Sequence, residues 1–463
     1  MSIELSFHGG VDTVTGSCHL IKAGGLNVLI DCGMFQGTDG WEDRNYESFS
    51  FDPSSIDFLL LTHGHLDHCG RIPLLVKAGF NGSIICTSAT YDIAKIILMD
   101  SARIHEEDYA HWKKIWKRRG EKERKPLYTI LDVMDTLRLF DDFARYGVKR
   151  DLNQIVSVTF KDAGHILGAS FIEIDIKKEK RLIFSGDLGN RNKPIIRDPF
   201  MPESAEIIVV ESTYSDREHK DFGHTVDEFA GIISQTCKRG GNTLIPSFAI
   251  ERAQDLLYIL RKLTDEGRIP PCRVFLDSPM GINVTGVMRR HPECFDDETS
   301  ALFSNNEDPF WFPGLEFTLT PEESKQINFV KSNAIIIAGS GMCTGGRIKH
   351  HLKHNIWRPE ASVVFVGFQA EGTLGRHIVD GKATVKIYRE NYNVRASVHT
   401  VGGFSSHADR SILLDWLGNS KGTEKIFLVH GESEKMSNFK KAIMDRQLAG
   451  EVIAPHYEDH FEL

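Results

Sequence analysis

The sequence lacks a CxxC pair, an apolar run of membrane length, a low-complexity tract, an internal repeat and any surplus of positive charge. Each absence excludes something. Its 8 cysteines (Cys18, Cys32, Cys69, Cys86, Cys237, Cys272, Cys294 and Cys343) are scattered through a chain too large to need staples. They read as reduced and mostly buried, neither a zinc knuckle nor a disulfide framework. With 64 Asp and Glu against 55 Lys and Arg, the net charge is −9, so the attraction a basic protein has for nucleic acid is missing and any polyanion must be held by local groups. The opening segment MSIELSFHGG passes directly into a strand-like pattern, without a basic region followed by an apolar one. A cytoplasmic protein with no membrane partner is the expectation.

What is present is the composition of a soluble globular enzyme, 41% hydrophobic and 26% charged. At 463 residues the chain exceeds one ordinary core, and two domains are expected. From residue 1 to about 90, short apolar runs such as LNVLID, FLLLT and SIICT predict successive strands. Residues 89–145 read as helical, and IVSVTF, FIEIDI, RLIFSGD and EIIVVEST then predict an antiparallel continuation of the first sheet. After Thr213 helices alternate with apolar strands (NTLIPS, RVFLDS, AIIIAGS, SVVFVGF), the pattern of a parallel, doubly wound unit. From about 395 the strand-and-turn pattern of the first segment resumes. An outer domain divided into 1–212 and 395–463, with an α/β domain inserted at 213–394, is therefore expected.

The segment LLLTHGHLDHCG, residues 59–70, sets His63, His65, Asp67 and His68 directly after an apolar run. On an extended backbone alternate side chains share a side, whereas the adjacent Asp67 and His68 diverge. One ion cannot comfortably use all four. A structural hydrogen-bond cluster, one metal ion and two metal ions are the readings open to it. Imidazole and carboxylate without thiolate suit zinc. Further polar groups stand where apolar runs end: His165 in FKDAGHILGAS, Asp187 in LIFSGDLGN, His430 in IFLVHGE and Asp31 in VLIDCG. A strand tip is where a rigid scaffold aims a side chain into a cleft. Asp187, with two oxygens, suits a bridge between ions, and Asp31 an acceptor that fixes the tautomer of a ligand histidine. Taken singly, each is as readily a turn former. Three imidazoles within six residues have little structural purpose.

These residues resemble the metallo-β-lactamase superfamily, whose hallmark is HxHxDH followed by a separate His and Asp. EST at 211–213, FSSHAD at 404–409 and VHGE at 429–432 are similar to the three added motifs of its β-CASP group, and VTGSCHL, IPSFAIERAQDLLYIL, LDSPM and GSGMCTGGRIKHHL extend the likeness over nearly the whole chain. The resemblance is to bacterial and archaeal RNA-processing members and to the endonuclease subunit of the eukaryotic pre-mRNA cleavage machinery. It implies an α/β architecture: an αββα metallo-β-lactamase sandwich with an inserted doubly wound β-CASP domain. It implies two zinc ions per chain, one on His63, His65 and His165, the other on Asp67, His68 and His430, with Asp187 between them. His430 favours RNA, because the DNA-repair members carry an apolar residue there. Neither the C-terminal extension of ribonuclease J nor the N-terminal KH module of archaeal members is expected.

The implied activity is hydrolysis of phosphodiester bonds in single-stranded RNA, endonucleolytic in the first instance. Two ions acidify a bridging water and clamp the phosphoryl oxygens, with Asp67 and Asp187 among the catalytic groups. His407, oriented by Glu211, serves as general acid, while Asp409 caps a helix. For the polyanion, the glycine-rich turn AGSGMCTGGR offers Ser340, Gly341, Gly345, Gly346 and Arg347 as a phosphate grip at a helix start. The neighbouring His350, His351 and His354 read as an exposed helix face, and the basic run 113–125 as a solvated face before an RNA contact. Departures from the family pattern at HGGVDTVTGS, Ser215 and Glu251 bear on specificity. A 5′-to-3′ exoribonuclease and a non-catalytic RNA-binding scaffold are the competing readings. Oligomeric state is open, a homodimer being compatible with the sequence.

Overall fold

A computed structural model describes residues 2–37 and 40–463 of the chain. It divides into two compact units, the first comprising residues up to Arg191 with Asp198–Glu218 and His407–Leu463, the second Asn192–Arg197 and His219–Ser406. Among the described residues no helix is long and apolar enough to cross a membrane.

The first unit is built on two seven-stranded sheets. One runs in the order His460–Glu462, Glu4–Phe7, His19–Ala23, Leu26–Ile30, Phe58–Leu60, Ser83–Thr87, Asp142–Ala144. The other runs Glu451–Ile453, Lys425–Val429, Ile207–Glu211, Arg181–Phe184, Ser170–Ile176, Val156–Asp162, Lys149–Asp151. The strands between residues 149 and 211 therefore do not continue the first sheet, as the sequence pattern suggests. They form a second sheet packed on it, and Arg181–Phe184 pairs in parallel with Ile207–Glu211. Alternation in VSVTF shows a buried face but not which sheet owns the strand. Leu5, Phe7, Ile21, Val28 and Ile30 of one sheet meet Val158, Phe160, Ile172, Ile174 and Phe427 of the other, a buried layer that fixes where the strand ends point. The helix Ser88–Arg119 lies against the strand Ser83–Thr87, and Ser433–Asp445 lies against the strands Lys425–Val429 and Glu451–Ile453. The result is the αββα sandwich.

The expected helical stretch 89–145 is shorter in two respects. The long helix, capped by the Thr87 hydroxyl on the Thr90 N–H, ends at Gly120 with φ of 66°, and after the helix Ile130–Leu137 residues Asp142–Ala144 form a sheet edge. Residues 113–125 are largely exposed, with ion pairs from Lys113 to Glu123 and from Arg124 to Asp43.

The second unit centres on a six-stranded parallel sheet in the order Leu315–Phe317, Arg273–Asp277, Ala334–Ala338, Thr243–Pro246, Ser362–Phe365, Ser397–Thr400. Strands buried on both faces explain the uninterrupted apolar runs NTLIP and AIIIA. Ser397–Thr400, which by its sequence returns to the first segment, pairs with Ser362–Phe365 here. The triad of histidines in the helix Ile348–Asn355 is not uniformly exposed either. His351 is fully buried, and its Nε2 lies 2.6 Å from Asp277 Oδ2. The Asp277 carboxylate also accepts from Thr318 (2.5 Å), Ser324 (2.6 Å) and Arg347 Nη1 (2.7 Å). Burial alone raises the Asp277 pKa, and the bonds from His351, Ser324, Thr318 and Arg347 outweigh it, holding the group at about 2.

A folded-state pKa below the ordinary 3.8 adds stability that is complete above that value and is lost as pH falls toward 2. Asp277→Ala leaves buried donors unpaired and is expected to cost about 3–5 kcal/mol. Urea unfolding at pH 7 and pH 3 checks both statements: the wild type weakens at pH 3, and the gap to the variant narrows there.

Candidate metal centre

Local geometry separates the clustered side chains of the HxHxDH segment. His63 follows the strand Phe58–Leu60, His65 occupies the N-cap of the short helix Leu66–Cys69 with an extended backbone, and Asp67 and His68 fall on its first turn. The turn is packed closely from below. A Cβ on Gly33 would stand 1.5 Å from the Asp67 carbonyl oxygen, so only glycine fits. The remaining groups follow strand ends: His165 after Val156–Asp162, Asp187 after Arg181–Phe184, Glu211 as the last residue of Ile207–Glu211, and His430 after Lys425–Val429. His407 precedes the helix Arg410–Asn419, whose N-cap is Asp409.

Nine chemically active side chains of the first unit converge. His65 Nδ1 lies 3.1 Å from His63 Nε2 and 3.2 Å from His165 Nε2, and both of those nitrogens lie 3.5 Å from Asp187 Oδ2. A tetrahedral ion with ligands at about 2.0–2.1 Å requires ligand–ligand edges of about 3.3–3.4 Å. These four atoms have that spacing. Asp67, His68 and His430 make a second group, with His430 Nε2 3.4 Å from Asp67 Oδ2. Asp187 Oδ1 faces it, 3.3 Å from His68 Nε2. Apart from this ion pair with each other, both of these buried atoms lack a hydrogen-bond partner, a costly state in protein and an ordinary one for a metal ligand. The donor set therefore fits one divalent cation in each group, with Asp187 shared.

Electrostatics concur. Burial, with His68 nearby, pushes His63 well below its usual range despite Asp187, so its nitrogen presents a lone pair. For Asp187, burial raises the pKa, but His430, His68, His407 and His63 overcome it and keep the carboxylate ionised. His68 is held well above its usual value: burial opposes the charge, and Asp187 and Asp31 outweigh it. A proton on His68 and a cation among these ligands answer the same local excess of negative charge.

Outer contacts orient the ring set. Asp31 Oδ2 lies 2.7 Å from His68 Nδ1 and accepts from the Thr62 hydroxyl at 2.8 Å, while Thr62 Oγ1 is 3.1 Å from His63 Nδ1. Thr213 Oγ1 is 3.0 Å from His430 Nδ1. Sequence reasoning finds Asp31 but not Thr62 or Thr213; their signal is adjacency, each standing beside a motif residue. Glu211, completely buried, accepts from the Leu188 N–H at 2.7 Å and sits 3.2 Å from His407 Nδ1 through either oxygen. Burial lowers the His407 pKa, yet Glu211 and Asp187 carry it up to about 9.

The glycine-rich residues Ser340, Gly341, Gly345 and Gly346 belong to the second unit, between the strand Ala334–Ala338 and the helix Ile348–Asn355. Arg347, expected to assist a phosphate, is instead taken up by Asp277 and by the carbonyls of Thr318 (3.0 Å) and Leu319 (2.7 Å). A buried carboxylate is the stronger partner for a guanidinium in this position.

Comparison with known proteins agrees with this architecture. The metallo-beta-lactamase superfamily model matches residues 11–227, the Beta-Casp domain 253–378, and the Zn-dependent metallo-hydrolase RNA specificity domain 391–455. Ribonuclease TTHA0252 of Thermus thermophilus is 41% identical over 428 residues, 92% of this chain and 93% of that one. The chain belongs to the β-CASP group of the metallo-β-lactamase superfamily. Transcription termination factor FttA of Methanocaldococcus jannaschii is 30% identical over 454 residues, covering 95% of this chain and 69% of its own. A crystal structure of a protein of unknown function from Enterococcus faecalis V583 covers both chains completely with a TM-score of 0.57 at 13% identity, a likeness of fold. The protein is a metal-dependent hydrolase.

Because the ligands are preassembled, a cation binding only the folded state raises stability by about 2.7 kcal/mol at a concentration 100 times its Kd. Zinc is expected to raise the Tm of the chelator-treated protein, and His63→Ala to abolish most of the shift. Calorimetric scans with and without zinc check this.

Proposed function

We propose that the protein is a ribonuclease dependent on two zinc ions, cleaving phosphodiester bonds within single-stranded RNA. The observation that carries this reading is the shared position of Asp187 between two ligand groups, with the His407–Glu211 pair alongside. His63, His65 and His165 would hold one ion, Asp67, His68 and His430 the other, and Asp187 both. Bound zinc supplies activation of the nucleophile and neutralisation of charge on the phosphoryl oxygens.

The chain's own residues account for the rest. Glu211, fixed by the Leu188 N–H, holds the Nδ1 side of His407, which assigns Nε2 to deliver a proton to the departing oxygen. Asp31 and Thr62 keep the His68 and His63 rings from rotating, so the ligand set is held before substrate arrives. The RNA assignment is supported by relatives named as a ribonuclease, as transcription termination factors and as an RNase J-like protein, and by the RNA specificity domain at 391–455. The complete ligand set disfavours a non-catalytic scaffold.

Incubation of the zinc-loaded protein with internally and 5′-labelled single-stranded RNA is expected to give internal fragments. His407→Ala is expected to lower kcat by about 10²–10⁴ with KM little changed, and His65→Ala to lose activity. Absence of metal-dependent cleavage, or His65→Ala cleaving like the wild type, would reject the proposal. Release of mononucleotides alone would replace the endonuclease with a 5′-to-3′ exonuclease.

A further inference from the structure

The parallel sheet of the second unit has a point where its winding reverses. From the strand Thr243–Pro246 the chain crosses to Arg273–Asp277, on one side; from the adjacent Ala334–Ala338 it crosses to Ser362–Phe365, on the other. Right-handed crossovers then carry the two following helices to opposite faces. The loops leaving these two strands stand at their carboxyl ends, where open α/β sheets receive ligands.

Three segments stand at that end of the sheet: 247–251, 339–346 and 366–369. They are tied together. The amide Nε2 of buried Gln369 donates to the carbonyls of Gly341 (3.0 Å), Gly367 (3.1 Å) and Phe368 (2.9 Å). The Phe248 ring lies flush on the glycine backbone, since a Cβ at Gly341 would stand 2.8 Å from it and one at Gly367 3.5 Å. Despite this packing Phe248 is 45% exposed, and Phe368 is 52% exposed. A single surface phenylalanine requires no explanation. Two of them on linked loops present aromatic surface at the end of the sheet where open α/β sheets receive ligands.

We propose that Phe248 and Phe368 form a base-stacking platform for single-stranded RNA, an inference that rests on the ribonuclease reading and states how the substrate is gripped. The charge balance favours it. A chain of net charge −9 gains little from phosphate attraction, and Arg347, at the end of the glycine-rich turn, is taken up by Asp277. Stacking does not depend on net charge and tolerates any base. Such a platform holds RNA without reading its sequence, with some preference for the larger purine faces.

Cleavage kinetics with the zinc-loaded full chain and a labelled single-stranded RNA test this. Phe248→Ala and Phe368→Ala are each expected to raise KM about ten-fold, the loss of one stacked base, with Phe248→Trp restoring it. In the wild type, abasic nucleotides placed one at a time along the RNA are expected to raise KM at two positions, and Phe248→Ala is expected to add nothing at one of these. Unchanged KM in both alanine variants, or no effect of an abasic nucleotide anywhere, would overturn the platform while RNA cleavage by the wild type stands. Should an alanine variant fail to fold, the abasic series on the wild type decides alone. A wild type that does not cleave RNA would overturn the ribonuclease reading and the platform with it.

Discussion

The architecture of the active centre depends on one buried carboxylate. Asp187 is 2% exposed, yet histidines lie on both sides of it, His63 and His165 toward Oδ2, His68 toward Oδ1. An isolated ionised carboxylate in such a position is costly. Its charge is tolerable only with positive charge beside it, from protonated His68 or from a cation that the surrounding imidazoles and Asp187 could hold together. The groups come from four strand ends, His63, His65, Asp67 and His68 from one and His165, Asp187 and His430 from three others, so no single loop carries the whole set.

The sandwich makes that convergence possible. Two seven-stranded sheets pack through a continuous apolar layer, and the loops that leave their strands near residues 62, 163, 185, 211 and 430 carry the polar chemistry. Apolar burial thus determines the position of polar groups it never touches. Asp31, at the end of its own strand with φ of 58°, links the two: its oxygens hold the Thr62 N–H at 2.8 Å and the His68 ring at 2.7 Å. A backbone conformation unusual for aspartate is consistent with a position fixed by the site's geometry.

Much of this is legible in the sequence because ligand chemistry is local and specific. HxHxDH, and polar residues at the tips of apolar runs, point to the same atoms that the fold brings within 3.1–3.5 Å of one another. What is not legible depends on partners distant in sequence. Nothing in VSVTF says that it founds a second sheet. His351 and Arg347 look like solvent-facing groups of a basic helix, and only Asp277, some 70 residues away, converts them into a buried network. Ser397–Thr400 resembles the first segment in composition, yet its pairing partner is Ser362–Phe365. Thr62 and Thr213 escape a sequence reading because a hydroxyl beside a motif has no signature until its acceptor is known.

The most direct test is a crystal of the zinc-loaded protein with diffraction recorded at the zinc absorption edge. The account predicts two anomalous peaks in each chain, one enclosed by His63, His65 and His165, the other by Asp67, His68 and His430, with an oxygen of Asp187 against each. A single peak, or peaks away from Asp187, would contradict it.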